Sequence, residues 1–180
     1  MFERAVFLLC LPAICFSFAL FPYYDHETQR RQIPEDQCIE SLTPCIHYFR
    51  YIHTMEGPQN IVVDGRIALP CESRILEGFR NCTDVTRQCN EMESYMTLRL
   101  FYSQWNFICQ NSQAFVAGEK CLNNSMLQSS LSMCRNYPDD MCLSTCVRER
   151  VAETPDCSTD DSILLGRLMA TALEQLPGRC

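Results

Sequence analysis

The sequence has only three histidines, and this scarcity limits the enzyme classes that the chain can serve. A secreted helical phospholipase needs a His beside an Asp on a disulfide-bonded helix. Here the one adjacent pair, Asp25-His26, lies in an unpatterned terminal stretch. The Gly-x-Ser-x-Gly turn of many serine hydrolases does not occur. The acidic pairs at residues 139–140 and 160–161 fit helix starts, where carboxylates stabilise the helix dipole, and do not indicate glycosidase chemistry. We therefore predict that the chain is not an enzyme.

Positive charge is also scarce, since 15 Lys and Arg residues stand against 22 Asp and Glu residues, for a net charge of −7. Nucleic acids and anionic membranes are bound by basic surfaces, so neither is a predicted partner. The chain has no Cys-x-x-Cys pair, and a spacing of six predicts that His47 and His53 lie on different faces of a helix. Neither a metal site nor a cofactor is predicted.

The N-terminus has the features of a secretory signal peptide. Arg4 precedes an apolar run at residues 5–18, and the small residues Ser17 and Ala19 suit a signal peptidase. We predict a signal peptide over residues 1–19, with a retained membrane anchor as the less favoured alternative. No later stretch is apolar and long enough for a membrane helix, so we predict a secreted, extracellular product. Residues 20–37 are predicted to form a flexible arm, and residues 38–180 a cysteine-rich domain.

The chain contains fourteen cysteines, of which Cys10 and Cys15 lie in the predicted signal peptide. An even number of cysteines behind a secretory signal predicts a disulfide framework in an oxidising compartment, here of six bonds. The sequence does not fix the pairing, and the final cysteine could bond within the chain or between chains. The twelve predicted disulfide cysteines are Cys38, Cys45, Cys71, Cys82, Cys89, Cys109, Cys121, Cys134, Cys142, Cys146, Cys157 and Cys180.

Apolar residues recur at steps of three and four almost throughout the domain, which is the period of amphipathic helices. The fold class predicted is therefore all-α, a disulfide-stapled bundle of five or six helices. Residues 92–109 form its predicted central helix. Their apolar face carries Met92, Tyr95, Leu98, Tyr102, Trp105 and Cys109. Five further helices are predicted. Three lie at residues 38–55, 71–89 and 122–134, the fourth follows a turn at residues 136–139 and ends at residue 154, and the last, at residues 158–176, starts with a Ser158–Asp161 capping box.

A long loop is predicted after the first helix, at residues 56–70, because turn-forming residues cluster there. Residues 61–63 could form a short extended piece within it. A loop of this length is either functional or mobile, and the sequence does not decide between the two. Two N-glycosylation sequons are present, at Asn81 and Asn123, and Asn123 is the better site because a cysteine follows Asn81.

From residue 38 to residue 157 the cysteine layout resembles a nematode family of secreted helical domains, the chondroitin proteoglycan 4 type. The matching features are Cys38-x6-Cys45, Cys82-x6-Cys89, Phe107-Ile108-Cys109, Cys121-Leu122, Cys134, Cys142-x3-Cys146 and Cys157. A second nematode family of secreted cysteine-rich helical domains is similar. The resemblance implies an extracellular, non-enzymatic protein of a matrix or eggshell. It does not extend to chondroitin attachment, because the chain has no Ser-Gly dipeptide, and Ser158 follows Cys157 where the family often has glycine.

Two functions are consistent with these features. The first is a structural or interaction protein of the extracellular matrix or fluid, which binds an extracellular protein or carbohydrate. The alternative is a soluble carrier of a small hydrophobic ligand, with the aromatic face of residues 92–109 lining its cavity. Ordinary core packing explains the same aromatic residues, and we favour that interpretation.

Overall fold

The computed structural model describes residues 35–55, 57–85, 89, 93–136 and 143–173. The predicted all-α class is confirmed: these ranges hold eight α-helices and a single two-stranded hairpin. None of the helices in this part of the chain is both long and apolar enough to span a membrane. The α-helices are α1 Glu35–Leu42, α2 Ser73–Val85, α3 Glu93–Gln110, α4 Ser112–Ala117, α5 Glu119–Leu122, α6 Ser125–Ser132, α7 Leu143–Ala152 and α8 Thr159–Leu173.

The first predicted helix is divided, with α1 followed by a 3₁₀ helix at Thr43–Met55. The division falls where Pro44 lacks the backbone N–H that a continuing helix would need. A 3₁₀ helix has three residues per turn, so Cys45, Tyr48 and Tyr51 form its inward ridge. Cys45 and Tyr48 are buried, and Phe49 is half-buried and packs against the core. An α-helical period would have placed Phe49, and not Tyr48, on the same face as Cys45.

The expectation that His47 and His53 lie on different faces stays a prediction, because the side chain of His53 lies outside the described structure. His47 is exposed, and its Nδ1 lies 2.7 Å from the carbonyl oxygen of Pro44.

The predicted loop is folded against the domain. After a 3₁₀ turn at Pro58–Asn60, strands β1 (Val62–Val63) and β2 (Arg66–Ile67) pair antiparallel, which confirms the short extended piece. Ile61, Val62 and Leu69 are buried, so this loop supplies part of the core. Asp64 and Gly65 form the turn, with φ angles of 52° and 72°. A two-residue hairpin turn of type I′ requires positive φ at both central residues, and Asp-Gly is a preferred pair for this turn.

We expect Gly65→Val to lower the free energy of unfolding by about 1–2 kcal/mol, because a residue with a Cβ pays this cost in the left-handed region. A Cβ at Gly65 would meet no atom within 4 Å, so the cost is conformational and not steric. Gly65→Asn is the matched control, since Asn tolerates positive φ, and it should cost much less. Urea unfolding of the oxidised protein measures both. Equal losses in the two variants would contradict this account.

Helix α3 lies at the centre of the fold, as its pattern predicted, and packs against both α2 and α8. Leu98 and Trp105 on its predicted apolar face are fully buried, while Tyr102 is half-buried. The opposite side of α3 is also in the core, because Leu100 and Phe107 are buried. The ring of Phe107 contacts Phe115 of α4 edge-on and lies 5.8 Å from the Arg167 guanidinium of α8. Helix α3 thus joins two halves of one core.

Five disulfides connect the described helices. Their Cα–Cα distances lie between 4.5 and 5.8 Å, within the usual range. Three bonds pair cysteines between residues 38 and 109 and two pair cysteines between residues 121 and 157, so no described bond links these two ranges. Cys142 and Cys180, the remaining predicted disulfide cysteines, lie outside the described residues. The bonds are Cys38–Cys89, Cys45–Cys82, Cys71–Cys109, Cys121–Cys157 and Cys134–Cys146.

The last two helices, α7 and α8, form a closely packed pair. A Cβ at Gly166 would lie 3.1 Å from the carbonyl oxygen of Ser144 and 3.0 Å from Cγ of Arg148, so glycine permits this approach. The predicted capping box of α8 is confirmed. The Ser158 N–H donates to Asp161 Oδ2 at 2.7 Å, and the Asp161 N–H donates to Ser158 Oγ at 3.1 Å.

Several predictions lie outside the described residues. These are the signal peptide at residues 1–19, most of the arm at residues 20–37, and the turn at residues 136–139 beyond Asn136. The side chains of Met92 and Tyr95, on the predicted apolar face of residues 92–109, also lie outside the described part of the structure. Helix α1 begins at Glu35, three residues before the predicted start of the helical domain.

Candidate functional site

An open groove of about 680 Å³ lies where three separated parts of the chain meet. Residues 67–72, the segment that leads from β2 to α2, supply most of its wall. Tyr51 of the 3₁₀ helix and Ser112 at the start of α4 complete it. The lining residues are Tyr51, Ile67, Ala68, Leu69, Pro70, Cys71, Glu72 and Ser112.

The 67–72 segment is fixed at several points along its length. The Ala68 N–H donates to the Ile61 carbonyl at 3.0 Å, and Leu69 is buried. The indole N–H of Trp105 donates to the Pro70 carbonyl at 3.0 Å, and Cys71 is bonded to Cys109. Hydrogen bonds, burial and a covalent bond therefore set the shape of this wall before any ligand arrives.

Tyr51 provides the aromatic surface of the groove. Its ring contacts Trp105 edge-on, with centroids 4.9 Å apart, so the core supports it from behind. The Arg50 guanidinium lies 4.7 Å from the centroid of the Tyr51 ring and donates to the Tyr51 hydroxyl at 2.6 Å. Arg50 is exposed beside the groove, and the exposed carboxylate of Glu72 is among the lining residues. The groove thus combines an apolar wall with charges of both signs.

The aromatic face of α3 is filled by other rings. Trp105 is fully buried and lies 5.4 Å from Phe79 and 5.5 Å from Phe101, centroid to centroid. Tyr48 stacks on Phe79 at 4.3 Å, with the planes 11° apart. With its N–H bonded to Pro70, Trp105 has both its apolar and its polar requirements met inside the protein. This arrangement favours core packing as the role of Trp105.

Burial raises the pKa of the Tyr48 phenol, with a smaller contribution from Tyr51. Burial also raises the pKa of Tyr102, where Arg80 opposes the effect and Asp84 adds to it. Because the pKa of each tyrosine is higher in the folded state, the neutral phenol contributes to the free energy of unfolding. This contribution is fully present below the unfolded pKa, near 10, and is lost as pH rises through the folded pKa. We expect stability to fall above about pH 10, and Tyr48→Phe to reduce that fall. Urea unfolding at several alkaline pH values tests this, and an unchanged pH profile in the variant would contradict it.

The two predicted glycosylation sites are both exposed. Asn81 lies on α2, next to Cys82, which is bonded to Cys45. Asn123 lies in the turn between α5 and α6, where the following Asn124 side chain caps α6 by accepting from the Met126 N–H at 2.9 Å. The structure places these asparagines on the surface and does not bring either into the groove.

We expect glycosylation at Asn123 when the protein is expressed through a secretory pathway. Asn123→Gln should remove the larger part of the mass that peptide N-glycosidase releases, and Asn81→Gln the smaller part, because the cysteine in that sequon lowers acceptor efficiency. Ser125→Ala is a second test of the same sequon that leaves the acceptor in place. Intact-protein mass spectrometry measures the change. An unaltered glycan mass in Asn123→Gln would contradict the assignment.

Among the residues that the structure describes, no group of three or more His, Cys, Asp or Glu is placed to hold a metal ion. The remaining ionic contacts have local structural roles. Lys120 bonds Asp156 at 2.6 Å beside the Cys121–Cys157 disulfide, and this hydrogen bond holds the pKa of the Asp156 carboxyl below its usual value. Residues 67–70 of the groove lie in the predicted loop at residues 56–70, but sequence reasoning did not place them beside Tyr51 and Ser112, which come from distant stretches of the chain. No protein family model, curated protein or solved structure matches the chain.

Proposed function

We propose that this protein is a secreted, non-enzymatic interaction module of the extracellular matrix or fluid, and that the groove around Tyr51 contacts its protein or carbohydrate partner. The observation that carries the proposal is the rigid groove wall, held by the Cys71–Cys109 disulfide and the Trp105–Pro70 hydrogen bond. A preformed surface loses little conformational entropy on binding, which favours recognition.

The side chains at the groove suit an interface. Tyrosine and arginine are enriched among the residues that dominate binding energy, and Arg50 and Tyr51 are held together in one geometry. The five disulfides support an extracellular location, because such bonds persist in oxidising compartments. The resemblance to the chondroitin proteoglycan 4 type points the same way. It rests on cysteine spacing, and no family model supports it.

The test is a pull-down from the source extracellular fluid with the immobilised full-length protein. Arg50→Glu combined with Glu72→Lys reverses both groove charges while keeping the net charge unchanged. The matched control is Arg148→Glu combined with Glu149→Lys, which makes the same exchange at two exposed positions of α7. We expect a partner that the wild type and the control retain and the groove variant loses. Identical retained proteins in all three samples would contradict a role for the groove.

Native mass spectrometry of the secreted protein separates this proposal from the alternative, a carrier of a small hydrophobic ligand. The interaction module should give the mass of the polypeptide with its glycans. A co-purifying lipid lost on denaturation would instead support the carrier function. The fully buried, hydrogen-bonded Trp105 supports the first outcome.

A further inference from the structure

The Cys71–Cys109 bond differs from the other four disulfides in its exposure. Both of its cysteines are half-buried, whereas each of the other described disulfides contains at least one buried cysteine. Cys71 also lines the open groove. We propose that Cys71–Cys109 is a thiol-exchange site, reduced selectively by small thiols of the extracellular medium that enter through the groove. This inference goes beyond the proposed interaction function and does not depend on it.

Access is what separates this bond from the others. Attack on a disulfide needs a thiolate to approach one sulfur, so its rate depends on whether that sulfur can be reached. In each of the other described pairs one cysteine is nearly inaccessible, so a thiolate can approach at most one of the two sulfurs. Cys38, Cys45, Cys121 and Cys134 have relative exposures of 0–2%. The groove at Cys71, at about 680 Å³, is large enough to admit a small thiol.

The reaction has two balanced steps. A small thiolate attacks Sγ of Cys71, forms a mixed disulfide with it, and releases Cys109 as a thiolate that takes a proton from solvent. A second small thiolate then attacks the small-thiol sulfur of the mixed disulfide and releases Cys71 as a thiolate, which takes a proton from solvent. The two small thiols leave joined as a disulfide. Two thiols are oxidised and one protein disulfide is reduced to two thiols. The exposed Glu72 carboxylate next to Cys71 makes an uncharged compound, 2-mercaptoethanol, the suitable probe.

Opening this bond would release the groove wall. Cys71 lies two residues before α2, and Cys109 lies in the last turn of α3, so the bond ties one helix start to another helix end. Trp105, one turn before Cys109, donates its indole N–H to Pro70, the residue before Cys71. Reduction of the Cys71–Cys109 bond removes the covalent link that holds the Pro70 carbonyl close to Trp105. Because Trp105 is the one tryptophan in the sequence, its fluorescence reports the event directly.

The experiment is timed reduction of the full-length oxidised protein with 2-mercaptoethanol, followed by alkylation and peptide mapping. We expect Cys71 and Cys109 to be alkylated at least about tenfold faster than the other described cysteines, because theirs is the one described bond in which both cysteines are partly exposed and one of them lines the groove. The change in Trp105 emission should follow the same time course. Earlier alkylation of another pair, or simultaneous alkylation of all pairs, would overturn the proposal.

Two variants provide the control. Cys71→Ser with Cys109→Ser should lack the fast phase and show the shifted Trp105 emission before any reductant is added. Cys134→Ser with Cys146→Ser removes a bond between two buried cysteines and should keep the fast phase. A fast phase that persists in the first variant would overturn the proposal. If that variant does not fold, the order of alkylation in the wild type decides the question alone.

Discussion

Replacing Trp105 with alanine is expected to lower the free energy of unfolding by about 3–5 kcal/mol, the usual cost of truncating a large buried aromatic residue. Trp105 is fully buried, and its ring contacts four others, those of Tyr48, Tyr51, Phe79 and Phe101. Truncation leaves a cavity among these rings and also leaves the Pro70 carbonyl without its donor. Urea unfolding of the oxidised protein, followed by circular dichroism, measures the loss.

Trp105→Phe is the matched control. It retains most of the ring contacts but removes the N–H. The expected loss is about 0.5–1.5 kcal/mol, the net worth of one hydrogen bond, because the Pro70 acceptor is half-buried and lines the open groove. Comparing the two Trp105 variants also distinguishes core packing from the lining of a ligand cavity as the role of this face of α3. If Trp105 lined a ligand cavity, Trp105→Ala would leave stability nearly unchanged and abolish binding of an apolar probe. That result would contradict the assignment of Trp105 to the core.

The sequence predicted the helical part of the fold well, because the relevant signals are local. The apolar spacing of residues 92–109 identified α3, and its cysteine at one end indicated a contact with a neighbour. Ser158 and Asp161 are three residues apart, so their reciprocal hydrogen bonds depend on the local chain alone.

The 3₁₀ helix was missed because periods of 3 and 3.6 give similar apolar stripes over a short stretch. Contacts with residues distant in sequence determine that Tyr48, and not Phe49, points into the core. Tyr48 stacks on Phe79 of α2, and its hydroxyl lies where a Cβ at Gly78 would clash at 2.6 Å. Glycine at position 78 therefore admits the tyrosine, and this relation spans 30 residues of sequence.

The hairpin and the groove show a second limit of local reasoning. Two-residue strands are too short to display alternation, so the sequence predicted a short extended piece at residues 61–63 but not its pairing with residues 66–67. Burial of the loop depends on Ile61, Val62 and Leu69 meeting helices elsewhere in the chain. The disulfide pairing likewise depends on which helices are neighbours. The groove combines both features, since its wall follows the hairpin and ends at a disulfide.

Removing the Cys45–Cys82 bond, by Cys45→Ala with Cys82→Ala, is expected to cost about 4 kcal/mol. The bond closes a separation of 37 residues, for which the chain-entropy account gives about this value. It also ties the 3₁₀ helix to α2. A 3₁₀ helix of 13 residues is unusually long, and its hydrogen-bond geometry is poorer than that of an α-helix, so it depends on such tertiary anchors.

Cys134→Ala with Cys146→Ala is the matched control, because it removes a bond that closes only 12 residues and should cost about 3 kcal/mol by the same account. Urea unfolding without reductant measures both variants. Far-ultraviolet circular dichroism distinguishes the loss of chain-entropy stabilisation from a loss of structure in the 3₁₀ helix. If the bond also holds the 3₁₀ helix in shape, the Cys45–Cys82 variant alone should lose helical signal before the main transition. An equal or larger loss in the control would mean that the ring contacts of Tyr48 and Tyr51 hold this segment without the disulfide.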